Sequence, residues 1–348
     1  MRARDLGLAC GHLPPGEQNT IADVPGVTVG HTTIVRGEIR TGVTAILPHD
    51  GDLFLDKPVA AADVLNGFGK STGLIQVNEL GVLETPILLT NTFGVGTCAN
   101  ALIRRAIAEN PEIGRQTSTV NPVVFECNDG YLNDIQAMAI TEADALAAIA
   151  AASDNVETGA IGAGAGMSCF GLKGGIGTAS RRIKLDGAIY HLGTLVLANF
   201  GRAGDLLLPD GRRVDPSVAR LPEPAVERQP EKGSCIVIIA TDVPLDHRQM
   251  RRVTRRAGAG LAWCGTFWGH GSGDLAIGFT TANRIDHDAK ADTAGIRVLN
   301  ENRIDLAFQA VAEATQEAVM DALAASDTTF GRAGHKRPGL RHALGRTS

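Results

Sequence analysis

The sequence predicts a layered α/β fold, with β-sheets inside and helices outside, on three observations. Strand-like and helix-like segments both recur along the 348 residues, without a strict strand–helix–strand rhythm and without an internal repeat. Apolar residues make up 44% of the chain, which is enough for a large core. Aromatic residues make up only 4%, while glycines number 42, so we expect Ala, Val, Ile and Leu packed closely against many glycines.

The individual elements follow from hydrophobic pattern and turn residues. Strands are predicted at residues 26–35, 42–50, 122–127, 191–201 and 275–283, with a short buried strand soon after Thr85 and another in "SCIVIIATD" from residue 234. Helices are predicted at 141–153, from Pro244 to about 262, and at 300–326. One more helix follows the strand after Thr85; Thr97 or Asn100 could cap it, and Asn110-Pro111 ends it.

Two segments differ in composition from the rest of the chain. Residues 202–232 contain five prolines and many charges, which predicts a surface linker. Residues 331–348 are basic and rich in glycine, which predicts a flexible tail. The whole chain, residues 1–348, is interpreted as a single domain that includes both segments.

Composition and motifs argue against several classes of protein. A net charge of −5 is unlike that of a nucleic-acid-binding protein. The N-terminus has no apolar signal region, and no apolar run is long enough for a bilayer, so no membrane partner is expected. Six scattered cysteines without a CxxC pair are typical of free thiols in the cytosol, which predicts a cytoplasmic protein.

The same motifs give no support for a cofactor or a metal. The glycine-rich stretch at residues 64–72 has Val64 where a phosphate-binding loop needs glycine, and the stretch at 159–171 lacks the context of a dinucleotide site. The nine histidines show no HExxH or HxH pairing. We therefore expect no cofactor and no metal, and the absence of a G-x-S-x-G motif disfavours an α/β-hydrolase.

The step between Gly233 and Ser234 has two interpretations. It lies between the charged, proline-rich segment and an unbroken apolar run, and a Gly-Ser pair there fits an ordinary turn. It also fits a self-cleaving N-terminal nucleophile, in which the serine hydroxyl attacks the unhindered glycine carbonyl. Cleavage would leave the serine with its own α-amine, whose ordinary pKa of about 7.7–8.0 suits it to accept a proton. The dipeptide alone does not decide between the two.

The wider sequence resembles the DmpA-type family of L-aminopeptidase/D-amidase-esterases, which includes the β-peptidyl aminopeptidases. The resemblance covers about residues 20–325. The segments that carry it are, in chain order, "IADVPGVTVGHTT", "GVTAILPH", "NGFGKSTGL", "ECNDGYLNDI", "GLKGGIGTASR", "LVLANFG", "KGSCIVIIATDVPL" and "HGSGDLAIGFTTAN". It implies a four-layer αββα sandwich that resembles N-terminal nucleophile hydrolases with different connectivity. It also implies self-cleavage into an α-chain, residues 1–233, and a β-chain, residues 234–348.

The resemblance further implies a site, residue by residue. Ser234 is expected as the nucleophile, assisted by Ser272 and Asp274, with Asn199 as the oxyanion donor. Glu126 is expected to bind the free ammonium of the substrate, and Asn128 lies beside it. Two plainer interpretations stay open: Ser272 and Asp274 could belong to a Gly-Ser-Gly-Asp turn, and Asn199 could only cap a strand end.

The predicted function is a serine aminopeptidase that hydrolyses N-terminal residues from short peptides, amides or esters with a free amine. Two alternatives are an ornithine acetyltransferase-like enzyme, which the serine in place of threonine counts against, and an unprocessed scaffold without activity. The resemblance also implies a homotetramer of αβ pairs, and we expect this assembly. Trp263 and Trp268 depart from the family pattern near the expected cleft, which leaves open the preference among L-, D- and β-amino-acid substrates.

Overall fold

Two β-sheets packed face to face form the centre of the molecule, in a computed structural model that describes residues 1–219 and 232–345. The strands are β1 (Thr28–Arg36), β2 (Ile39–Leu47), β3 (Asp56–Gly67), β4 (Ile87–Asn91), β5 (Val123–Cys127), β6 (Ser168–Cys169), β7 (Leu172–Lys173), β8 (Gly175–Leu185), β9 (Ala188–Asn199), β10 (Lys232–Thr241), β11 (Gly271–Asp286), β12 (Thr329–Phe330) and β13 (Lys336–Arg337). The helices are α1 (Leu74–Leu80), α2 (Val95–Glu109), α3 (Glu142–Ala150), α4 (His247–Arg255), α5 (Ala257–Trp263), α6 (Asp305–Ala325) and α7 (Leu340–Ala343).

Helices cover the outer face of each sheet. The first sheet has the order β1-β2-β4-β5, and α2 and α3 pack against it. The second has the order β3-β11-β10-β9-β8 and carries α4 and α6, with α5 against α6. A Cβ at Gly177 of β8 would lie 2.0 Å from the carbonyl oxygen of Ala318 in α6, so only glycine permits this close helix–sheet approach. The expected αββα sandwich is confirmed.

Strand β10 lies at the middle of the second sheet and faces two separate parts of the core. Ile236, Ile238 and Ala240 point into the core between the sheets, whereas Cys235 and Val237 point toward the outer helices. Because successive side chains of a strand point to opposite faces, Ser234 belongs to the inner series. The apolar run that follows Gly233-Ser234 is therefore a fully buried central strand.

Two helix predictions need correction. The side chain of Asn91 caps a 3-10 turn at Thr92–Gly94, and α2 begins at Val95, so neither Thr97 nor Asn100 is its cap. The single helix expected from Pro244 to about 262 is two helices, of which the first is capped by Asp246 through its bond to the Gln249 amide at 2.6 Å. Asn110 ends α2 as predicted.

The basic C-terminal segment is packed over residues 331–345, contrary to the expected flexible tail. Leu340 of α7 is completely buried, and the His335 ring stacks on Tyr131 with centroids 4.6 Å apart. The Pro338 carbonyl accepts a hydrogen bond from the Lys173 amide at 2.8 Å. Apolar residues that lie between the basic ones attach this segment to the body of the protein. The overall composition of the segment did not reveal them. Residues 346–348 lie outside the described part.

The predicted linker is only partly described. Residues 202–219 follow β9 across the outer core, where Leu206, Leu208 and Val214 are buried. This stretch therefore packs on the molecule, although its prolines and charges predicted an exposed path. Residues 220–231, the part that leads to β10, lie outside the described residues.

Candidate active site

Ser234 lies near the start of β10, where three strands fix its position. It is directly opposite Asn199 in the antiparallel pairing with β9 and beside Gly273 in the parallel pairing with β11. Its exposed fraction is 3%. Cross-strand neighbours in an antiparallel pair have Cβ atoms about 5 Å apart on the same face. The ladder thus brings Asn199 and Ser234 together, as the resemblance implied.

The Ser234 hydroxyl is directed at the peptide group that precedes it. Its Oγ donates to the Gly233 carbonyl oxygen at 2.6 Å. A Cβ at Gly273 would lie 3.1 Å from this Oγ and 2.6 Å from the Phe68 carbonyl oxygen. Glycine at 273 therefore leaves the space that the hydroxyl and the Phe68 backbone occupy. Such a geometry places a nucleophile beside a carbonyl carbon.

Two backbone groups hold the Asn199 side chain in one orientation. Its Oδ1 accepts from the Ser168 amide at 2.8 Å, and its Nδ2 donates to the Asn128 carbonyl at 3.0 Å. A primary amide has two N–H donors, so one remains for another acceptor. Because both bonds come from neighbouring loops, Asn199 is fixed by tertiary contacts, which goes beyond the plainer interpretation of a strand-end cap.

Ser272 and Asp274 form a buried hydroxyl–carboxylate pair. The Ser272 Oγ donates to Asp274 Oδ1 at 2.9 Å, and the two residues are 0% and 1% exposed. Both lie within β11, so the interpretation as a turn is wrong. They flank Gly273, and strand alternation therefore directs them to the face opposite the one that Gly273 presents to Ser234. The pair lies beside the backbone of β10 at Gly233 and Cys235.

Glu126 is buried on β5, in the other sheet, and makes contacts that suit a binding carboxylate. Its Oε1 accepts from the Lys70 amide at 2.9 Å, and its Oε2 accepts from the Thr92 hydroxyl. Within the described residues, no Lys or Arg side chain forms an ion pair with it. An ionised carboxylate has lone pairs for further donors. The site therefore has room, in terms of hydrogen bonding, for a cationic group.

Cys127 connects Glu126 to the nucleophile. Its Sγ donates to the Ser234 carbonyl at 3.3 Å, across the gap between the sheets. Gly69 approaches from the other side: a Cβ there would lie 3.6 Å from Glu126 Oε1 and 3.9 Å from the Gly273 Cα. Glu126, Gly69 and Gly273 thus surround the Ser234 region. Burial raises the pKa of the Cys127 thiol well above its ordinary value, so this sulfur is a neutral packing group.

Asn128 differs from its neighbours because its side chain is used locally. Its Oδ1 accepts from the Gly130 amide at 2.9 Å, and the residue is exposed. Its carbonyl is the group that fixes Asn199. A substrate contact by the Asn128 side chain stays a prediction.

Sequence reasoning missed the residues that support the site. The loop after β3 lies across β11, where the Phe68 amide donates to the Ser272 carbonyl at 3.3 Å. Phe68 itself is 55% exposed. The signal was the motif "NGFGKSTGL", which marked a glycine turn but gave no partner. Thr92 and Ser168 had no sequence signal, because their contacts span distant parts of the chain.

The two tryptophans occupy different environments. Trp263 is 46% exposed at the end of α5. Trp268 is partly buried, with its ring near Gly258 and Leu65, and its φ of 54° is unusual for a bulky residue. Trp268 therefore shapes the loop that leads into Ser272. Effects of either residue on substrate preference stay a prediction.

Metal and membrane features were searched within the described ranges. There, no group of three or more His, Cys, Asp and Glu side chains is placed to hold a metal ion. Among the helices of residues 1–219 and 232–345, none combines the length and the apolar content needed to span a bilayer.

Comparison with known proteins gives consistent matches over nearly the whole chain. The model of peptidase family S58 matches residues 19–337. The β-peptidyl aminopeptidase BapA of Sphingosinicella microcystinivorans is 36% identical, over 98% of this chain and 90% of the relative. Among solved structures, the PH0078 protein of Pyrococcus horikoshii OT3 is 44% identical with a TM-score of 0.92, over 99% of this chain and 97% of that one.

A further solved structure is the L-aminopeptidase D-Ala-esterase/amidase of Ochrobactrum anthropi. It is 34% identical with a TM-score of 0.87, over 99% of this chain and 96% of that chain. It is described as a prototype of the serine aminopeptidases and a variant of the N-terminal nucleophile hydrolase fold.

Proposed function

The chain belongs to peptidase family S58 and is a hydrolase of the serine aminopeptidase/amidase class, and from this premise we propose that it cuts itself between Gly233 and Ser234 and then uses Ser234 as an N-terminal nucleophile. The observation that carries the proposal is the 2.6 Å contact between the Ser234 hydroxyl and the Gly233 carbonyl oxygen. The expected products are residues 1–233 and 234–348.

Self-cleavage would begin with attack of the Ser234 Oγ on the Gly233 carbonyl carbon. The C–N bond breaks, the former amide nitrogen takes a proton, and the Gly233 acyl group is left as an ester on Oγ. Water then hydrolyses this ester and yields a Gly233 carboxylate and a free Ser234 hydroxyl. Glycine at position 233 removes side-chain obstruction from the carbonyl under attack.

Substrate hydrolysis would reuse the same hydroxyl. The new α-amine, with an ordinary pKa of about 7.7–8.0, accepts the Oγ proton as Oγ attacks the scissile carbonyl. Asn199 donates its remaining N–H to the oxyanion. The leaving amine takes the proton, an acyl-enzyme forms on Ser234, and water releases the acid.

The Ser272–Asp274 pair is assigned to the α-amine. Its side chains lie on the face of β11 opposite Gly273, next to the backbone of Gly233 in the parallel register. Because the Ser234 side chain points to the other face, the nitrogen of Ser234, and not its hydroxyl, is the group that the pair is positioned to contact. We propose that the pair orients the amine by hydrogen bonding and stabilises its protonated form.

Cleavage can be tested by intact mass and N-terminal sequencing. For the 36.3 kDa chain, scaling mass by length gives pieces of about 24 and 12 kDa. We expect both pieces in wild type, with a new N-terminus Ser-Cys-Ile-Val, and a single uncut chain for Ser234→Ala. Ser217→Ala is the matched control, since Ser217 lies on an exposed turn outside the site, and it should cut normally. An uncut wild-type chain would refute the processing step.

Glu126 gives the substrate class, because a buried carboxylate that forms no ion pair within the described residues, beside the nucleophile, suits an ammonium ion. We propose short peptides, amides and esters with a free N-terminal amine as substrates. Glu126→Gln should raise KM for an aminoacyl p-nitroanilide by about 100-fold, the loss of a charge-assisted bond of roughly 3 kcal/mol. N-acetylation of the substrate should abolish hydrolysis by wild type. Equal rates on free and acetylated substrates would contradict this role.

Assembly and location are proposed from the resemblance and the cysteines. We propose a tetramer of αβ pairs, which size-exclusion chromatography with light scattering would test. We also propose a cytoplasmic location, supported by the absence of a disulfide among the six cysteines, all of which lie in the described residues.

A further inference from the structure

Lys173 is a completely buried lysine close to the candidate site. Its Nζ donates to three backbone carbonyls, those of Gly164 and Met167 at 2.9 Å each and that of Gly174 at 2.8 Å. An ammonium has three donors and no acceptor, so each of its protons has a partner. A charged group in this position closes residues 162–174 into one fixed loop.

This loop carries one of the two bonds that orient Asn199. Ser168, whose amide donates to Asn199 Oδ1 at 2.8 Å, directly follows Met167, one of the three residues whose carbonyl oxygens accept from the Lys173 ammonium. The Gly174 amide also donates to the Met167 carbonyl at 2.9 Å, so the end of the loop is bonded to its middle there. A shift of Met167 would therefore move the Ser168 amide.

Asp129 supports the second bond. It is completely buried, and its Oδ1 accepts from Asn133 Nδ2 at 3.0 Å. A Cβ at Gly166 would lie 2.9 Å from the Asp129 Cβ, so the carboxylate residue packs directly on the Lys173 loop. Asp129 directly follows Asn128, whose carbonyl accepts from Asn199 Nδ2.

The two buried charges also interact with each other. Burial lowers the pKa of Lys173 to about 7, and the charge of Asp129 opposes this by raising it. Burial likewise raises the pKa of Asp129 to about 6. Cys169 is the other titratable group that acts on Lys173, also by raising its pKa.

We propose that Lys173 and Asp129 are positioning residues that together hold the Asn199 amide in the orientation from which it donates to the oxyanion. Lys173 acts through the Ser168 amide, and Asp129 acts through the Asn128 carbonyl. Neither touches the substrate. The inference rests on the proposed function, because it needs Asn199 to be the oxyanion donor.

A double-mutant cycle between Lys173→Met and Asn199→Ala tests the proposal. Rates on an aminoacyl p-nitroanilide are normalised to the amount of cleaved chain, so that slower processing is not counted as slower turnover. Lys173→Met should lower kcat about 10-fold at unchanged KM, since oxyanion donation acts in the transition state. In the Asn199→Ala background, the same substitution should cause no further loss. Arg181→Met is the control for general destabilisation, and kcat of its folded fraction should equal that of wild type.

The outcomes separate a failure of the positioning role from a failure of the proposed function. An unchanged kcat for Lys173→Met, or the same loss in both backgrounds, would overturn the positioning role and leave the proposed function intact. A normal kcat for Asn199→Ala would refute the oxyanion role itself, and the positioning role with it. If Lys173→Met does not fold, Asp129→Asn takes its place in the cycle, because the amide keeps an acceptor for Asn133. Asp129→Asn is expected to lower kcat when Asn199 is present and to cause no further loss in the Asn199→Ala background.

Discussion

Lys173 and Arg181 are both completely buried, eight residues apart in the chain, and the protein accommodates their charges in different ways. Lys173 is surrounded by carbonyl oxygens. Arg181 binds two carboxylates of α6, Glu313 at 3.2 Å and Glu317 at 2.8 Å, and also the Cys10 carbonyl at 2.6 Å. A planar guanidinium with five donors can bridge several elements, whereas an ammonium acts as a point charge. The arginine therefore clamps separate segments together, and the lysine shapes one loop.

The Arg181 cluster has a further consequence if the chain is cut. Arg181, together with Arg4, which binds Glu317, belongs to residues 1–233. Glu313 and Glu317 belong to residues 234–348. The cluster would then join the two chains after cleavage, while the Lys173 loop lies wholly in the first of them.

Arg181→Met is expected to cause the largest loss of unfolding free energy. It leaves two buried carboxylates without their central partner, and breaking a buried pair in this way costs about 3–5 kcal/mol of unfolding free energy. Urea unfolding of the Ser234→Ala chain, which should stay in one piece, would measure it. Arg182→Met is the matched control on the same strand, since Arg182 is exposed, and it should change stability by less than about 0.5 kcal/mol. Equal losses for both would show that the cluster contributes little.

Lys173→Met is expected to have an intermediate effect that depends on pH. The folded pKa of about 7 lies below the ordinary value of 10.5, so between these values the unfolded chain binds more protons. The stability of the lysine form should therefore rise with pH across this window, by up to about 1.4 kcal/mol per pH unit, and Lys173→Met should lack the rise. Urea unfolding at pH 7, 8 and 9 in the Ser234→Ala background would measure the difference. The loss of unfolding free energy caused by Arg181→Met should be the same at the three pH values, because arginine side chains do not titrate in this range.

Arg248→Gln gives the smallest expected effect and separates burial from pairing. Arg248 forms an ion pair with Glu301, as Arg181 does with its carboxylates, but its side chain is 60% exposed. Water and salt screen exposed pairs, so the loss of unfolding free energy should be far smaller than that of Arg181→Met and should shrink further in 0.5 M salt. A loss as large as that of Arg181→Met would show that pairing, and not burial, sets the scale.

Local pattern was sufficient for much of the fold. The boundary at Asn110 and the helix capped by Thr141 agree with the sequence, since both depend on neighbouring residues. The cap of α2 and the break between α4 and α5 were predicted wrongly. Asn91 reaches its helix through an intervening turn, and two short helices share one apolar pattern, so pattern alone did not separate them.

The site divides in the same way. The resemblance of two short motifs to the family pointed to Ser234, Ser272 and Asp274, and each motif is contiguous in the sequence; their catalytic roles stay a prediction. Lys173 could not, since a lysine in a glycine-rich segment gives no sign of being enclosed by carbonyls from its own loop.

By itself, the sequence determined the layered α/β class of fold and the strand that follows Gly233, and its resemblance to a known family supplied the candidate site residues. The fold class and the strand depend on hydrophobic periodicity and on residue types, which are local properties of the chain. Only the tertiary structure decided that Asn199 lies opposite Ser234, that the Ser272–Asp274 pair occupies the other face of β11, and that Lys173 and Arg181 are both buried with different partners. Strand register and burial arise from contacts between residues far apart in the chain, so they exist only once the two sheets have packed.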